Sequence, residues 1–269
     1  MLPQGDDEAG EECVTMLAKF AHAINDESLS EANDRAQQAR HAQLIENLIA
    51  VALDLASIVP PRPLRARIVE SVRPMLAQDL SAMRRRDPAV RFKPIECLLS
   101  VHSTFFAILC YRLAHLLTSL KSASDDLVID AMNLSYAARS LTGVEIHPDA
   151  RIGQRLAIDH GWGTIIGQTV EIGDDAYILN NVLLGGREVG DASDGKRHPT
   201  IGHRVQISGG VRILGPVVIG DDCFLGPEVT ITKDVPAHSR VVLKRGSNVA
   251  TRAPIQFRPT AARSHETAS

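Results

Sequence analysis

The chain has 269 residues, 44% of them hydrophobic and 23% charged, and carries a formal net charge of -3. That balance supplies enough apolar material for two domains, excludes a disordered or fibrous chain, and gives no electrostatic reason to expect nucleic acid or an anionic membrane as partner. Small molecules are the expected partners.

The N-terminus is acidic, with Asp6, Asp7, Glu8, Glu11 and Glu12 where a signal peptide would need basic residues and an apolar stretch, so a cytoplasmic protein is expected. Val14, Leu17, Phe20, Ala21 and Ile24 then recur at the spacing of one helix face. A second stripe, Leu44, Leu48, Val51, Ala52 and Leu55, stops at Pro60, Pro61 and Pro63, because proline has no amide donor and restricts the residue before it. The apolar run from Leu44 to Val59 is shorter than a bilayer span and holds Glu46, Asn47 and Asp54, which makes it a buried helix. Phe105, Leu109, Leu113 and Leu116 predict another helix, and Leu127, Ala131, Leu134 and Ala138 a last one, closed by Gly143. Cys13, Cys97, Cys110 and Cys223 show no regular spacing, so they read as reduced structural thiols and not as a disulfide framework or zinc site.

Beyond Gly143 the period changes to six. Ile146, Ile152 and Ile158 form one set; Ile166, Ile172, Ile178 and Leu184 a second; Ile201, Ile207, Ile213, Ile219, Leu225 and Ile231 a third. A glycine often follows the aliphatic residue, as at Gly153, Gly167, Gly173, Gly185, Gly202, Gly220 and Gly226, which suits a corner where a side chain would crowd the next coil. Neither an α-helix nor a hairpin sheet repeats in sixes. The solution is a parallel β-helix of triangular section, with one buried aliphatic per face and coils stacked about 4.8 Å apart. The fold class is α+β: an all-α N-terminal domain (1–142), a β-helix of hexapeptide repeats (143–243) and a C-terminal tail (244–269).

The rhythm breaks twice, and breaks in a solenoid are where function concentrates. One break, between Ile158 and Ile166, contains Asp159-His160-Gly161-Trp162; the other, between Leu184 and Ile201, begins Gly185-Gly186 and ends Lys196-Arg197-His198-Pro199. With Gly143-Val-Glu-Ile-His-Pro148, Ile166-Gly-Gln168 and, upstream, Arg86-Asp-Pro-Ala-Val90 and Tyr111-Arg112, these stretches resemble the serine O-acetyltransferases of bacterial cysteine biosynthesis. The resemblance spans about residues 64 to 240 and implies a left-handed β-helix, an exception to the usual right-handed crossover.

It also implies acetyl transfer from acetyl-CoA to the hydroxyl of L-serine, without a metal. An alcohol needs a positioned general base at neutral pH; His160 matches that role and Glu145 the acid that orients it, and the prism is expected to stack the two on neighbouring coils. With no enzyme nucleophile in the set, transfer is expected to be direct. The resemblance assigns Asp87 and Asp159 to the ammonium of serine, and Arg197 and His198 to its carboxylate. It assigns Gly185, Gly186 and Gly209 to the acetyl-CoA arm. His147 reads as a cap on the prism entry, and His102, His115 and His238 as structural.

The chain departs from the family on the acetyl-CoA side. Arg187 and Glu188 follow Gly-Gly, Phe224 stands where the family has a lysine, and Leu243-Lys-Arg-Gly-Ser247 replaces the usual segment, so Lys244, Arg245 or Arg252 are the candidates for phosphate charge. The end, Glu266-Thr-Ala-Ser269, lacks the family's isoleucine, so docking to O-acetylserine sulfhydrylase in that mode is expected to be weak or missing. Flat prism faces imply a homotrimer with sites between chains; a dimer of trimers joined by the helical halves, and cysteine feedback, are implied by resemblance only. Three alternatives stand beside this reading: a relative acting on another amino alcohol or acyl donor, a metal enzyme like γ-type carbonic anhydrases using His160, His198 and His203, and a non-catalytic scaffold.

Overall fold

The computed structural model describes residues 30–60, 62–87, 94–120, 125–188 and 195–243. The predicted helix face from Val14 to Ile24, the tail from residue 244, and Lys244, Arg245 and Arg252 lie outside the described residues. Among the described residues five helices come first: α1 (Ser30–Leu55), α2 (Arg62–Arg86), α3 (Ile95–Val101), α4 (Ser103–Ser119) and α5 (Asp125–Thr142). No helix among the described residues is long and apolar enough to cross a membrane.

The stripe predicted on α1 is displaced. Its buried residues are Ile45, Ile49, Ala52 and Leu53, with Ala56 just beyond its end, while Val51 and Leu55 are about half exposed. Both stripes satisfy the helical period, and tertiary packing against α2 and α4 chose between them. On α5 the expected face is the buried one, with Ala131, Leu134 and Ala138 inside and Gly143 (φ 70) ending the helix. The α4 helix is apolar nearly all round and forms the centre of the helical half, with Phe105, Ile108, Leu109 and Leu113 almost fully buried.

Short strands follow in chain order among the described residues: β1 (Glu145–Ile146), β2 (Arg151–Ile152), β3 (Ala157–Ile158), β4 (Ile165–Ile166), β5 (Glu171–Ile172), β6 (Tyr177–Ile178), β7 (Leu183–Gly185), β8 (Thr200–Ile201), β9 (Gln206–Ile207), β10 (Arg212–Leu214), β11 (Val218–Ile219), β12 (Phe224–Leu225), β13 (Thr230–Ile231) and β14 (Arg240–Val241). They form three parallel faces. The first is β1-β4-β7-β10-β13, the second β2-β5-β8-β11 and the third β3-β6-β9-β12-β14. The chain visits the faces in turn, as a left-handed parallel β-helix of hexapeptide repeats does.

Every aliphatic residue of the sixfold pattern is buried, and each sits on its counterpart one coil away: Ile146 on Ile166, Ile152 on Ile172, Ile213 on Ile231. A second inward ladder lies two residues earlier, at Val144, Val170, Val182, Val205, Val211 and Val229. Full burial of such a side chain is worth roughly 1.5–3 kcal/mol, so strands of two or three residues persist by what they bury. Gly173 shows the corner argument directly: a Cβ there would stand 2.8 Å from the backbone of Gly202 on the next coil, closer than real contacts allow.

A buried polar clamp joins the two halves. The Arg112 guanidinium on α4 donates to both oxygens of Asp79 on α2, at 2.9 and 3.1 Å, and to the carbonyls of Ile152 and Gly153, at 2.7 and 2.6 Å. Asp79 also accepts from the Leu156 amide at 2.9 Å, while the Tyr111 hydroxyl donates to the Ala150 carbonyl and accepts from the Ile152 amide. Every partner on the prism side belongs to its first coil, so α2 and α4 hold a fixed orientation to the turn after β3.

Candidate active site

Two clusters contain the residues singled out above, and they occupy two different corners of the prism. The first is the turn between β3 and β4, where the third face passes to the first. Two extra residues enlarge this turn and carry His160 outward: its side chain is 78% exposed, and its Nε2 lies 3.7 Å from Asp159 Oδ1. His160 has φ 58, but residues at the equivalent corner of later coils are similar, Asn181 (54) and Glu228 (62), so the left-handed backbone belongs to the fold and not to the site alone.

Asp159 is mostly buried and accepts a hydrogen bond from the Tyr177 hydroxyl at 2.7 Å. The helical half brings Asp87 to the same place from the end of α2. His102, between α3 and α4, lies with Nε2 2.8 Å from Asp87 Oδ2, and oxygens of Asp87 and Asp159 and a ring nitrogen of His102 all lie within 4.8 Å of one another. Met83, Leu98, Ala157 and Ile158 close a crevice of about 10 Å³ around them, space on the scale of one water molecule. Burial and the Asp159 carboxylate push the Tyr177 phenol well above the usual range, which keeps it a donor. Arg86 lies 5.4 Å from the Tyr177 ring centroid and donates to the Asp175 carbonyl at 3.1 Å.

His102 was expected to be structural, but it belongs to this cluster. Tyr177 carried one readable signal, its outward position just before the buried Ile178 on the coil above Asp159. The expected stacking of Glu145 on His160 is not found. Glu145 stacks on Ile165, since His160 follows it by less than a full coil, and its carboxylate pairs with Arg139 at 3.2 Å. Trp162 stands 74% exposed in the same turn with its ring over Gly143, in an open groove that also contains Glu145 and Arg139.

The second cluster lies where the first face passes to the second. Arg197 Nη2 donates to Gln168 Oε1 at 2.6 Å, and Gln168 Nε2 donates to Asp149 Oδ2 at 3.1 Å. Thr169 Oγ1 accepts from the amides of Arg197 and His198 and lies 2.8 Å from His198 Nδ1. His147 Nδ1 accepts from the Asp149 amide at 3.1 Å, and burial pulls the pKa of this ring down.

Of the glycines, Gly185 ends β7 and Gly186 follows at this second corner, where a Cβ on Gly186 would meet nothing closer than the Glu188 carbonyl at 3.8 Å. Gly209 lies at the first corner, against Asn180 Oδ1. Phe224, which stands in place of the family lysine, has the Arg240 guanidinium carbon 4.0 Å above its ring centroid. The three histidines of the metal alternative, His160, His198 and His203, occupy three different corners and do not converge within the chain.

Comparison with known proteins agrees with this architecture. A family model described as bacterial transferase hexapeptide (six repeats) matches residues 198–233. The chain is 41% identical over 174 residues to a serine acetyltransferase of Helicobacter pylori, a match covering 65% of this chain and 96% of the relative. Among solved structures, serine acetyltransferase from Vibrio cholerae superposes with a TM-score of 0.63 at 30% identity, over 88% of this chain and 86% of that one. The Neisseria gonorrhoeae serine acetyltransferase in complex with serine gives 0.63 at 29% identity, over 83% and 90%.

Proposed function

The chain belongs to the serine acetyltransferase family, and on that premise we propose that it transfers the acetyl group of acetyl-CoA to the hydroxyl of L-serine, giving O-acetyl-L-serine and free CoA for cysteine biosynthesis. The observation that carries the reading is the Asp87–Asp159 pair. Two carboxylates from distant parts of the chain face a water-sized crevice beside an exposed imidazole. A small ammonium group suits that space and charge, and it would place the serine hydroxyl near His160.

His160 acts as general base: as the hydroxyl oxygen attacks the thioester carbon, the imidazole takes its proton and later returns it to the departing thiolate. Asp159, 3.7 Å from the ring, is the carboxylate nearest to it and stabilises the imidazolium formed on the way. Glu145 serves as the orienting acid only after leaving Arg139, a pair that is half exposed and therefore inexpensive to open. Arg197 and His198 hold the serine carboxylate. Gly185, Gly186 and Gly209 admit the acetyl-CoA arm close to backbone, and Arg240 on Phe224 joins Lys244 and Arg245 as candidates for its phosphates.

The two clusters lie on different corners of one prism, so a complete site needs the first corner of one copy beside the second corner of another. This supports a trimer with active sites between chains. Under the same proposal residues 1–142 supply Asp87 and His102 and residues 143–243 supply the remainder of the described site. Incubation with acetyl-CoA and L-serine, followed by thiol titration and mass spectrometry, tests the reaction. Stoichiometric O-acetylserine and CoA are expected; CoA released by hydrolysis, with no ester, would contradict it. L-homoserine and L-threonine in parallel separate serine from other amino alcohols.

A further inference from the structure

Three consecutive residues after β4 meet the end of the long loop, and each makes a different contact. Gly167 lies beneath the His198 ring: a Cβ there would run into Cδ2 and Nε2 of the imidazole, so only glycine leaves room for the ring. Gln168 accepts from the Arg197 guanidinium, and its own amide is fixed by Asp149. Thr169 does most. Its backbone amide donates to His198 Nδ1 at 3.2 Å, its hydroxyl oxygen accepts from the Arg197 amide at 3.0 Å and the His198 amide at 3.1 Å, and the same oxygen lies 2.8 Å from Nδ1.

These contacts determine where the proton sits. A backbone N–H can only donate, so Nδ1 presents its lone pair and the ring proton is on Nε2. The Thr169 hydroxyl oxygen, already accepting from two amides, turns its own hydrogen to Nδ1. A proton arriving at Nδ1 would break both of these bonds.

We propose that Gly167-Gln168-Thr169 is a seat that holds His198 as the neutral Nε2–H tautomer and aims it, with Arg197, at the anionic group of the substrate, Thr169 being the positioning residue. The inference rests on the serine reading for the identity of that anion, but the tautomer follows from geometry alone. The imidazole then recognises a carboxylate as a hydrogen-bond donor, and Arg197 provides the charge. The seat also joins the loop end to the prism through side chains, so the long excursion returns to a fixed point.

The test combines spectroscopy with substrate comparison. In protein labelled with nitrogen-15 at histidine, the His198 shifts are expected to show protonated Nε2 and bare Nδ1; Thr169→Val, which keeps the backbone donor but loses the hydroxyl, is expected to shift the Nδ1 resonance as one of its two hydrogen bonds disappears, and Thr169→Ser to restore the original pattern. In steady-state assays, Thr169→Val is expected to lower the preference for L-serine over L-serinamide, which lacks the carboxylate charge, by at least about tenfold, through KM more than kcat. A native Nδ1–H pattern, or an unchanged preference in the valine variant, would overturn the proposal. If the native enzyme fails to acetylate serine, the acetyl-transfer reading falls while the nitrogen shifts still decide the tautomer.

Discussion

Asp87 and Asp159 lie on different halves of the molecule, yet their carboxylate oxygens approach within 4.8 Å of each other and of His102. Like charges at that distance repel, and the fold tolerates them because His102 holds one and the Tyr177 hydroxyl the other. Under the proposed function, the serine ammonium would add a further positive partner to the pair. Asp87→Ala is therefore expected to raise the KM for serine by about tenfold to a hundredfold, with a smaller effect on the KM for acetyl-CoA, as loss of one charge-assisted hydrogen bond would do. Steady-state kinetics with each substrate varied in turn checks the asymmetry.

Replacing His160 by alanine is expected to lower kcat by about 10² to 10⁴, the range for a lost general base, with serine binding retained. The ring is 78% exposed, so its removal leaves the fold intact. Circular dichroism and thermal melting of the variant separate lost chemistry from lost structure.

The prism was legible because its physics repeats: one buried aliphatic per face forces the period of six, and no competing structure shares it. The helical half was less so. On α1 two adjacent stripes fit the same period, and Ile45 and Ile49 were buried in place of Val51 and Leu55 by contacts that no local pattern encodes. In the site, the breaks in the repeat marked Asp159, His160, Arg197 and His198. His102 and Thr169 had no such mark; their places depend on Asp87 and on the loop end, which only the folded chain brings to them. The orienting role of Glu145 rested on a stacking with His160 that the pairing of Glu145 with Ile165 does not give.

The clamp between the halves gives a stability prediction. The Asp79–Arg112 pair is almost fully buried, and burial pushes the Asp79 carboxyl up while Arg112 and the Leu156 amide pull it down. Removing one partner strands the other, so Asp79→Ala or Arg112→Met is expected to cost about 3–5 kcal/mol. The double variant should cost less than the two single losses added together, which chemical denaturation of all three proteins measures.

At the corner between the second and third faces, Arg155 donates to both oxygens of Asp175 at 2.8 Å and holds its carboxyl below the usual range. A lowered folded-state pKa gives stability that is present above the ordinary carboxylate pKa of about 3.9 and lost as pH falls through the folded value. Melting temperature against pH is therefore expected to fall on the acid side more steeply for the native protein than for Asp175→Asn. The two curves should lie apart at neutral pH and draw together as pH falls below the ordinary carboxylate pKa of about 3.9.

The central claim is that the base at one corner and the carboxylate-binding pair at another act together across two copies of the chain. It is tested most directly by mixing two inactive variants, His160→Ala and Arg197→Ala, through co-expression or joint refolding. If sites form between chains, mixed oligomers contain some sites with both native corners, and acetyl transfer to serine should return to about a quarter of the native rate at equal mixing. Mixed oligomers that form, as shown by differently tagged chains purifying together, yet stay as inactive as either parent would contradict the account.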